Sequence, residues 1–170
     1  MEIWDLYTEK RERTGTTHPR GEKIPNGFYH LVVHVWIRNS EGKYLIAQRS
    51  PNKKAFPLKW ECVGGAALAG ETSIVCALRE TKEEVGLDLS PENGKLLFSK
   101  ARNNDSHFAV EFNDILDVWL FEYNSDSNLK FVPTDEVVTY KWLSVSEIKQ
   151  LYDNGEFVPT LDYFFSLLQI

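Results

Sequence analysis

A chain of 170 residues with 42% hydrophobic and 13% aromatic side chains can bury one sizeable core, so a single domain over residues 1–170 is expected. Acidic residues outnumber basic ones 25 to 19, a formal charge of −6, which argues against sequence-independent nucleic-acid binding because that function needs a clustered positive surface. No apolar run approaches the roughly 18 residues of a bilayer span, and Met1-Glu2-Ile3-Trp4-Asp5 lacks the basic-then-apolar order of a secretory signal. Cys62 and Cys76 have no C-x-x-C spacing and read as buried thiols of a reducing compartment, most simply the cytoplasm.

In chain order, Ile3-Trp4-Asp5-Leu6-Tyr7 alternates loosely, and a polar turn over residues 8–13 leads into Thr14-Gly15-Thr16. This predicts a small N-terminal hairpin within an extension over residues 1–28. Pro19, Gly21, Pro25, Asn26 and Gly27 make the rest of that extension loop. Residues 29–37 are rich in β-branched and aromatic side chains, and Asn39-Ser40-Glu41-Gly42 separates them from Lys43-Tyr44-Leu45-Ile46-Ala47, the strongest hairpin signal in the chain. Two prolines make residues 50–58 loop, residues 60–63 read as a short strand, and glycines bracket an expected turn over residues 64–70. Ile74, Leu78, Thr81 and Val85 then recur at helical spacing, with Gly86 placed to end the helix. Residues 96–101, 108–112, 116–123 and 137–143 are expected strands. Ser144-Val145-Ser146-Glu147 has the form of a capping box, and residues 160–169 are amphipathic at helical period. Strands around one central helix, with helices at the end, predict an α/β (α+β) fold.

The chemistry concentrates in residues 65–87, where Gly65, Glu71, Arg79, Glu80, Glu83, Glu84 and Gly86 stand at fixed offsets. With each residue type used about 5–7% of the time, the coincidence is on the order of 10⁻⁸–10⁻⁹ per starting position. On a helix advancing about 100° per residue, Glu80 at 0° puts Glu83 at about −60° and Glu84 at about +40°, so the three carboxylates share one face. Ile74, Leu78, Thr81 and Val85 fall on the other side, which predicts one buried and one acidic face. Like charges three and four residues apart cost about 0.2–0.5 kcal/mol per pair, a penalty that a cation would remove. Carboxylate oxygens are hard ligands suited to Mg²⁺ or Mn²⁺, and Mg²⁺ typically shares its shell with substrate phosphates.

These offsets resemble the Nudix box, G-x5-E-x7-R-E-U-x-E-E-x-G-U with U a bulky aliphatic residue; Leu87 fills the last aliphatic slot and Thr81 departs from the first. The resemblance implies a Nudix-type α/β/α sandwich with a mixed β-sheet, and an enzyme that hydrolyses a diphosphate linkage in a small-molecule substrate. It also implies Mg²⁺ or Mn²⁺ held by Glu80, Glu83, Glu84 and the Gly65 carbonyl, with Arg79 orienting Glu80 and Glu71 supporting the loop–helix junction. Glu83 or Glu84 is named first as the base that takes the proton of the attacking water, followed by Asp135 and Glu136.

Trp4-Asp5-Leu6-Tyr7 with Thr14-Gly15, Gln48-Arg49-Ser50-Pro51-Asn52-Lys53-Lys54 with Phe56-Pro57 and Trp60, and Asp135-Glu136-Val137 with Tyr140-Lys141-Trp142 together look like the isopentenyl-diphosphate-isomerase-like branch. The isomerases carry a catalytic Cys-x-His-Pro loop; here the loop reads Glu61-Cys62-Val63-Gly64-Gly65-Ala66, and His30 matches a metal histidine without its partner. Complete glutamates and a missing Cys–His pair favour hydrolysis, with nucleoside diphosphates or their derivatives as the expected substrates. Isomerisation, or a noncatalytic nucleotide-binding module, is the alternative. Arg49 is a candidate substrate contact, Lys53 and Lys54 lesser ones; Phe28, Tyr29, Phe112 and Trp119 are candidates to stack on a base but read first as core. His18, His34 and His107 carry no ligand spacing, Asp114 and Asp117 are secondary metal candidates, and a homo-oligomer is compatible with the sequence.

Overall fold

A computed structural model of the chain describes residues 1–103, 113–124 and 131–167. The N-terminal hairpin pairs β1 (Ile3–Tyr7) with β2 (Arg13–Pro19) as a separate two-stranded sheet. The main sheet holds β3 (His30–Asn39), β4 (Tyr44–Arg49), β5 (Trp60–Glu61), β6 (Val63–Ala66), β7 (Gly94–Arg102), β8 (Asp114–Tyr123) and β9 (Val137–Leu143). β3 and β8 run parallel over their whole length, from His30 opposite Asp114 to Asn39 opposite Tyr123, whereas the other pairs are antiparallel. The sheet is therefore mixed.

The expected hairpin at residues 39–42 forms only at its tip. Gly42 donates to the Asn39 carbonyl at 2.9 Å, but among the register pairs of β3 and β4 only Arg38 opposite Tyr44 is made. Beyond the tip β3 is taken by β6 and β8, and β4 by β5 and β9. A second correction concerns the expected turn at residues 64–70: Gly64 and Gly65 lie inside β6, opposite His34 and Val33. The expected strand over residues 108–112, with His107 and Phe112, falls outside the described residues.

Helix α1 (Ser73–Val85) begins where Thr72, in extended conformation, accepts from the Val75 amide, and it ends at Gly86 with φ of 74°. Its apolar side, with Cys76, Ala77 and Val85, packs on the face of the sheet built by Val33, Val35, Ile37, Leu45, Ile115 and Phe121. Thr81 is fully buried and returns its hydroxyl to the Ala77 carbonyl at 2.8 Å, which satisfies the one polar atom that the departure from an aliphatic residue introduces. On the opposite face, Trp36, Ile46, Leu116 and Val118 meet Ile148 of α2 (Val145–Asp153) and Phe164 and Phe165 of α3 (Tyr163–Leu167). Ser144 and Glu147 form the reciprocal capping box at the start of α2. Helices on both faces of a mixed sheet make an α/β/α sandwich. No helix among the described residues is long and apolar enough to cross a membrane.

Two histidines are half-buried beside this core. Burial lowers His34 to about 3 and, aided by the charge of Arg102, lowers His30 to about 4, against an ordinary value of 6.5. The unfolded chain takes up these protons as pH falls through 6.5 while the folded chain does not, so stability present above 6.5 is lost progressively below it. We expect the urea midpoint to fall steadily on acidification from that value, with the ring nitrogens of His30 and His34 still in their neutral NMR positions at about pH 5. A folded-state titration of either ring near its ordinary value would contradict this.

Candidate active site

The site is built where β6 runs beneath the C-terminal half of α1. A Cβ placed on Gly65 would overlap the carboxylate carbon and both oxygens of Glu80, so glycine is what lets that carboxylate lie against the strand. Gly64 is equally constrained: an added Cβ would stand 2.6 Å from the Val33 carbonyl oxygen. The Gly64 amide donates to Glu84 Oε2 at 3.3 Å.

Arg79 organises the acidic residues. Its Nε and Nη2 donate to the two oxygens of Glu71 at 2.8 and 2.9 Å, a two-pronged pair. Nη1 donates to Glu80 Oε1 and Glu83 Oε2, both at 2.9 Å, and Nη2 also reaches the Ala66 carbonyl at 3.1 Å. The Leu68 amide donates to Glu71 Oε2 at 2.8 Å and closes the turn that leads into α1. Burial works against ionisation of Glu71, but the bonds from Arg79 and Leu68 outweigh it and hold its pKa below the usual range; the same bond to Glu71 holds the guanidinium above its own.

The three helix carboxylates are graded in exposure. The Glu83 side chain is 59% exposed and that of Glu80 13%, whereas Glu84 as a residue is 5% exposed. Burial, then the nearby charges of Glu61 and Glu80, push Glu84 well above the ordinary carboxylate range. Glu80 is raised by burial against the pull of Arg79, and Glu83 and Glu136 add to its burden. Glu61 and Glu136 thus join the acidic cluster from other parts of the chain. Each has a cation of its own: Arg49 Nη1 stands 2.6 Å from Glu61 Oε1, and Lys53 pairs with Glu136.

A cleft of about 160 Å³ opens beside the glycines, lined by Val32, His34, Arg49, Glu61, Thr160 and Leu161 among others. The Tyr163 hydroxyl accepts from Trp36 Nε1 at 3.1 Å and lies 2.8 Å from His34 Nδ1, fixing the imidazole at the cleft floor.

Other candidate residues are engaged elsewhere. His30 stacks on Trp4 at 4.0 Å, and Asp114, opposite it in the sheet, gives both oxygens to Arg102 at 2.7 and 2.8 Å. Asp117 is fully buried and pairs with Arg11. Both aspartates therefore have arginines as their partners. Tyr29 is core, Trp119 donates to the Ser73 hydroxyl at 2.8 Å, Phe28 is 38% exposed, and Lys54 is exposed. His18, within β2, rests 3.2 Å from the carbonyl oxygen of Glu22, which follows that strand.

Hard oxygens on Glu80, Glu83, Glu84 and the Gly65 carbonyl fit a divalent cation in kind, and the like-charge burden on buried Glu84 is what such a cation relieves. Among the described residues no three acidic, His or Cys side chains stand as a ready ligand cluster; Arg79 Nη1 occupies the space between Glu80 and Glu83. We expect Arg79→Met, in metal-free buffer, to cost about 2–3 kcal/mol, somewhat below the about 3–5 of a fully buried pair because the arginine keeps some exposure. The deficit should begin to shrink above the ordinary carboxylate pKa of 4.5, where Glu80, raised by burial, takes up its proton, and should shrink further below 4.5, where Glu71 follows. Urea denaturation across pH measures both.

Comparison with known proteins bears on this arrangement. The NUDIX domain family matches residues 28–163. An uncharacterized Nudix hydrolase of Listeria innocua is 39% identical over 166 residues, covering 97% of this chain and 91% of its own. An isopentenyl-diphosphate Delta-isomerase of Salmonella typhi is 29% identical over 150 residues, covering 88% of this chain and 79% of its own. A crystal structure of a Deinococcus radiodurans protein superposes with a TM-score of 0.69 at 28% identity, covering 92% of each chain. With the glycines, glutamates and arginine of the box in place from β6 to the end of α1 and the family match spanning the main sheet, the chain belongs to the Nudix family of hydrolases.

Proposed function

We propose that the chain hydrolyses the diphosphate linkage of a nucleoside diphosphate or a nucleoside-diphosphate derivative, with Mg²⁺ or Mn²⁺ held by Glu80, Glu83, Glu84 and the Gly65 carbonyl. The observation that carries this reading is the crowding of a buried carboxylate, Glu84, and a half-buried one, Glu80, against a strand that only glycine could form at that distance. A divalent ion bound there would neutralise diphosphate oxygens and acidify a coordinated water.

The chain's own residues have separable tasks. Arg79 orients Glu80 and, through Glu71, fixes the turn before α1. Glu84 is the first candidate to receive the proton of the attacking water, because Glu83 is tied to Arg79 and largely exposed. Asp135 and Glu136 stand behind them, and Glu136 is already paired with Lys53. Arg49 borders the cleft with its charge matched by Glu61, which suits contact with a polar group of the substrate better than capture of a free phosphate.

Isomerisation finds less support. Cys62 is 3% exposed, and burial pushes its thiol well above the usual range, which disfavours a thiolate; Asp114, opposite His30 in the sheet, is paired with Arg102.

Phosphorus NMR on a panel of nucleoside diphosphates, sugar nucleotides, dinucleotides and prenyl diphosphates, with Mg²⁺ or Mn²⁺, tests the reading directly. We expect metal-dependent cleavage of nucleoside-diphosphate compounds and a loss of about 10²–10⁴ in kcat for Glu84→Gln. Full turnover in that variant, or an allylic product formed from isopentenyl diphosphate without cleavage, would overturn it. Nucleotide-induced thermal stabilisation without turnover would leave a binding module.

A further inference from the structure

The N-terminal hairpin lies outside residues 28–163, the part matched to the family, yet it grips the segment that carries Glu71. The Ala69 amide donates to the Ile3 carbonyl at 2.8 Å, and the Gly70 amide to Asp5 Oδ2 at 2.9 Å. Arg13 Nη2 donates to the Glu71 carbonyl at 2.5 Å, while its Nε stands 3.4 Å from Asp5 and donates to the Tyr7 hydroxyl at 3.1 Å. Three consecutive backbone groups, at residues 69, 70 and 71, are therefore held from one side by the hairpin. Gly70, at φ of 88°, makes the turn that presents its amide to Asp5.

The hairpin is itself anchored. Tyr7 and Tyr29 exchange both backbone hydrogen bonds, at 2.8 and 3.0 Å, and Arg11 bonds Asp117 and Ser99 on the sheet. A rigid line of contacts thus runs from the sheet through the hairpin to the Glu71 backbone, then from the Glu71 carboxylate through Arg79 to Glu80 and Glu83.

We infer that Arg13 and Asp5 are positioning residues for the carboxylate cluster, acting through Glu71 and Arg79. The inference rests on the metal-binding reading proposed above. Without Arg13 the Glu71 carbonyl loses its tether while the Glu71 carboxylate keeps its two-pronged hold on Arg79, so the guanidinium can follow Glu71 away from Glu80. The neighbouring backbone of residues 69 and 70 would keep its own ties, which makes the effect one of alignment rather than unfolding.

Mn²⁺ binding to the full chain, followed by the electron paramagnetic resonance signal of free Mn²⁺, tests this without reference to turnover. Arg13→Gln and Asp5→Ala should each weaken binding about tenfold, the scale of outer-shell contacts to a metal site. In a Glu71→Gln background, Arg13→Gln should add less than about twofold, because the two act along one line of contacts. Thermal melts run on the same proteins separate alignment from folding. A lowered Tm with unchanged Mn²⁺ affinity, or losses that simply add in the double variant, would overturn the inference. Absence of Mn²⁺ binding to the wild-type chain would overturn the metal reading and the inference with it, whereas normal binding in wild type and both variants would overturn the inference alone.

Discussion

One guanidinium on the central helix bonds three carboxylates and a strand carbonyl. Arg79 reaches Glu71 before the helix, Glu80 and Glu83 on it, and Ala66 at the end of β6, all within 2.8–3.1 Å. Four acidic residues within fourteen positions would otherwise repel one another where burial makes repulsion costly. The cation allows the cluster to exist, and its planar fork fixes the directions in which the carboxylates point. The surrounding features serve that arrangement: Gly65 admits Glu80, the buried side of α1 locks the helix to the sheet, and the hairpin fixes the turn at residues 69–71.

Much of this was legible in the sequence because it is local. The extended Thr72 and the left-handed Gly86 bound a helix whose spacing shows in its side chains, and Ser144 with Glu147 announces the next one. The box residues share one helix and its approach, so helical geometry alone brings most of them together. Exposure was less readable. The three glutamates of one face differ widely, since Glu84 turns in over Gly64 while Glu83 turns out, and that difference comes from where β6 lies beneath the helix.

Nonlocal pairing hid the rest. The turn at residues 39–42 has a hairpin sequence and forms a hairpin tip, but β6 and β8 compete for the edges of β3 and win beyond Arg38. Gly64 and Gly65 read as turn residues because glycine favours turns; they are in a strand because close approach of Val33 and Glu80 leaves no room for a side chain. Glu61, paired with Arg49, and Glu136, paired with Lys53, add their charge to the surroundings of Glu80 and Glu84 from distant parts of the chain, which no spacing rule encodes. The docking of Asp5 and Arg13 on the segment before α1 is of the same kind: the hairpin was expected, its target was not.

Whether a divalent cation goes to this acidic cluster, braced by one arginine, is the central question. Anomalous diffraction from a crystal of the chain soaked in Mn²⁺ tests this most directly. A scattering peak within ligand distance of Glu80, Glu84 and the Gly65 carbonyl, with Arg79 still on Glu71, is the predicted result. A peak at Asp114 or Asp117, or none while Glu80 and Glu83 remain bonded to Arg79, would contradict it.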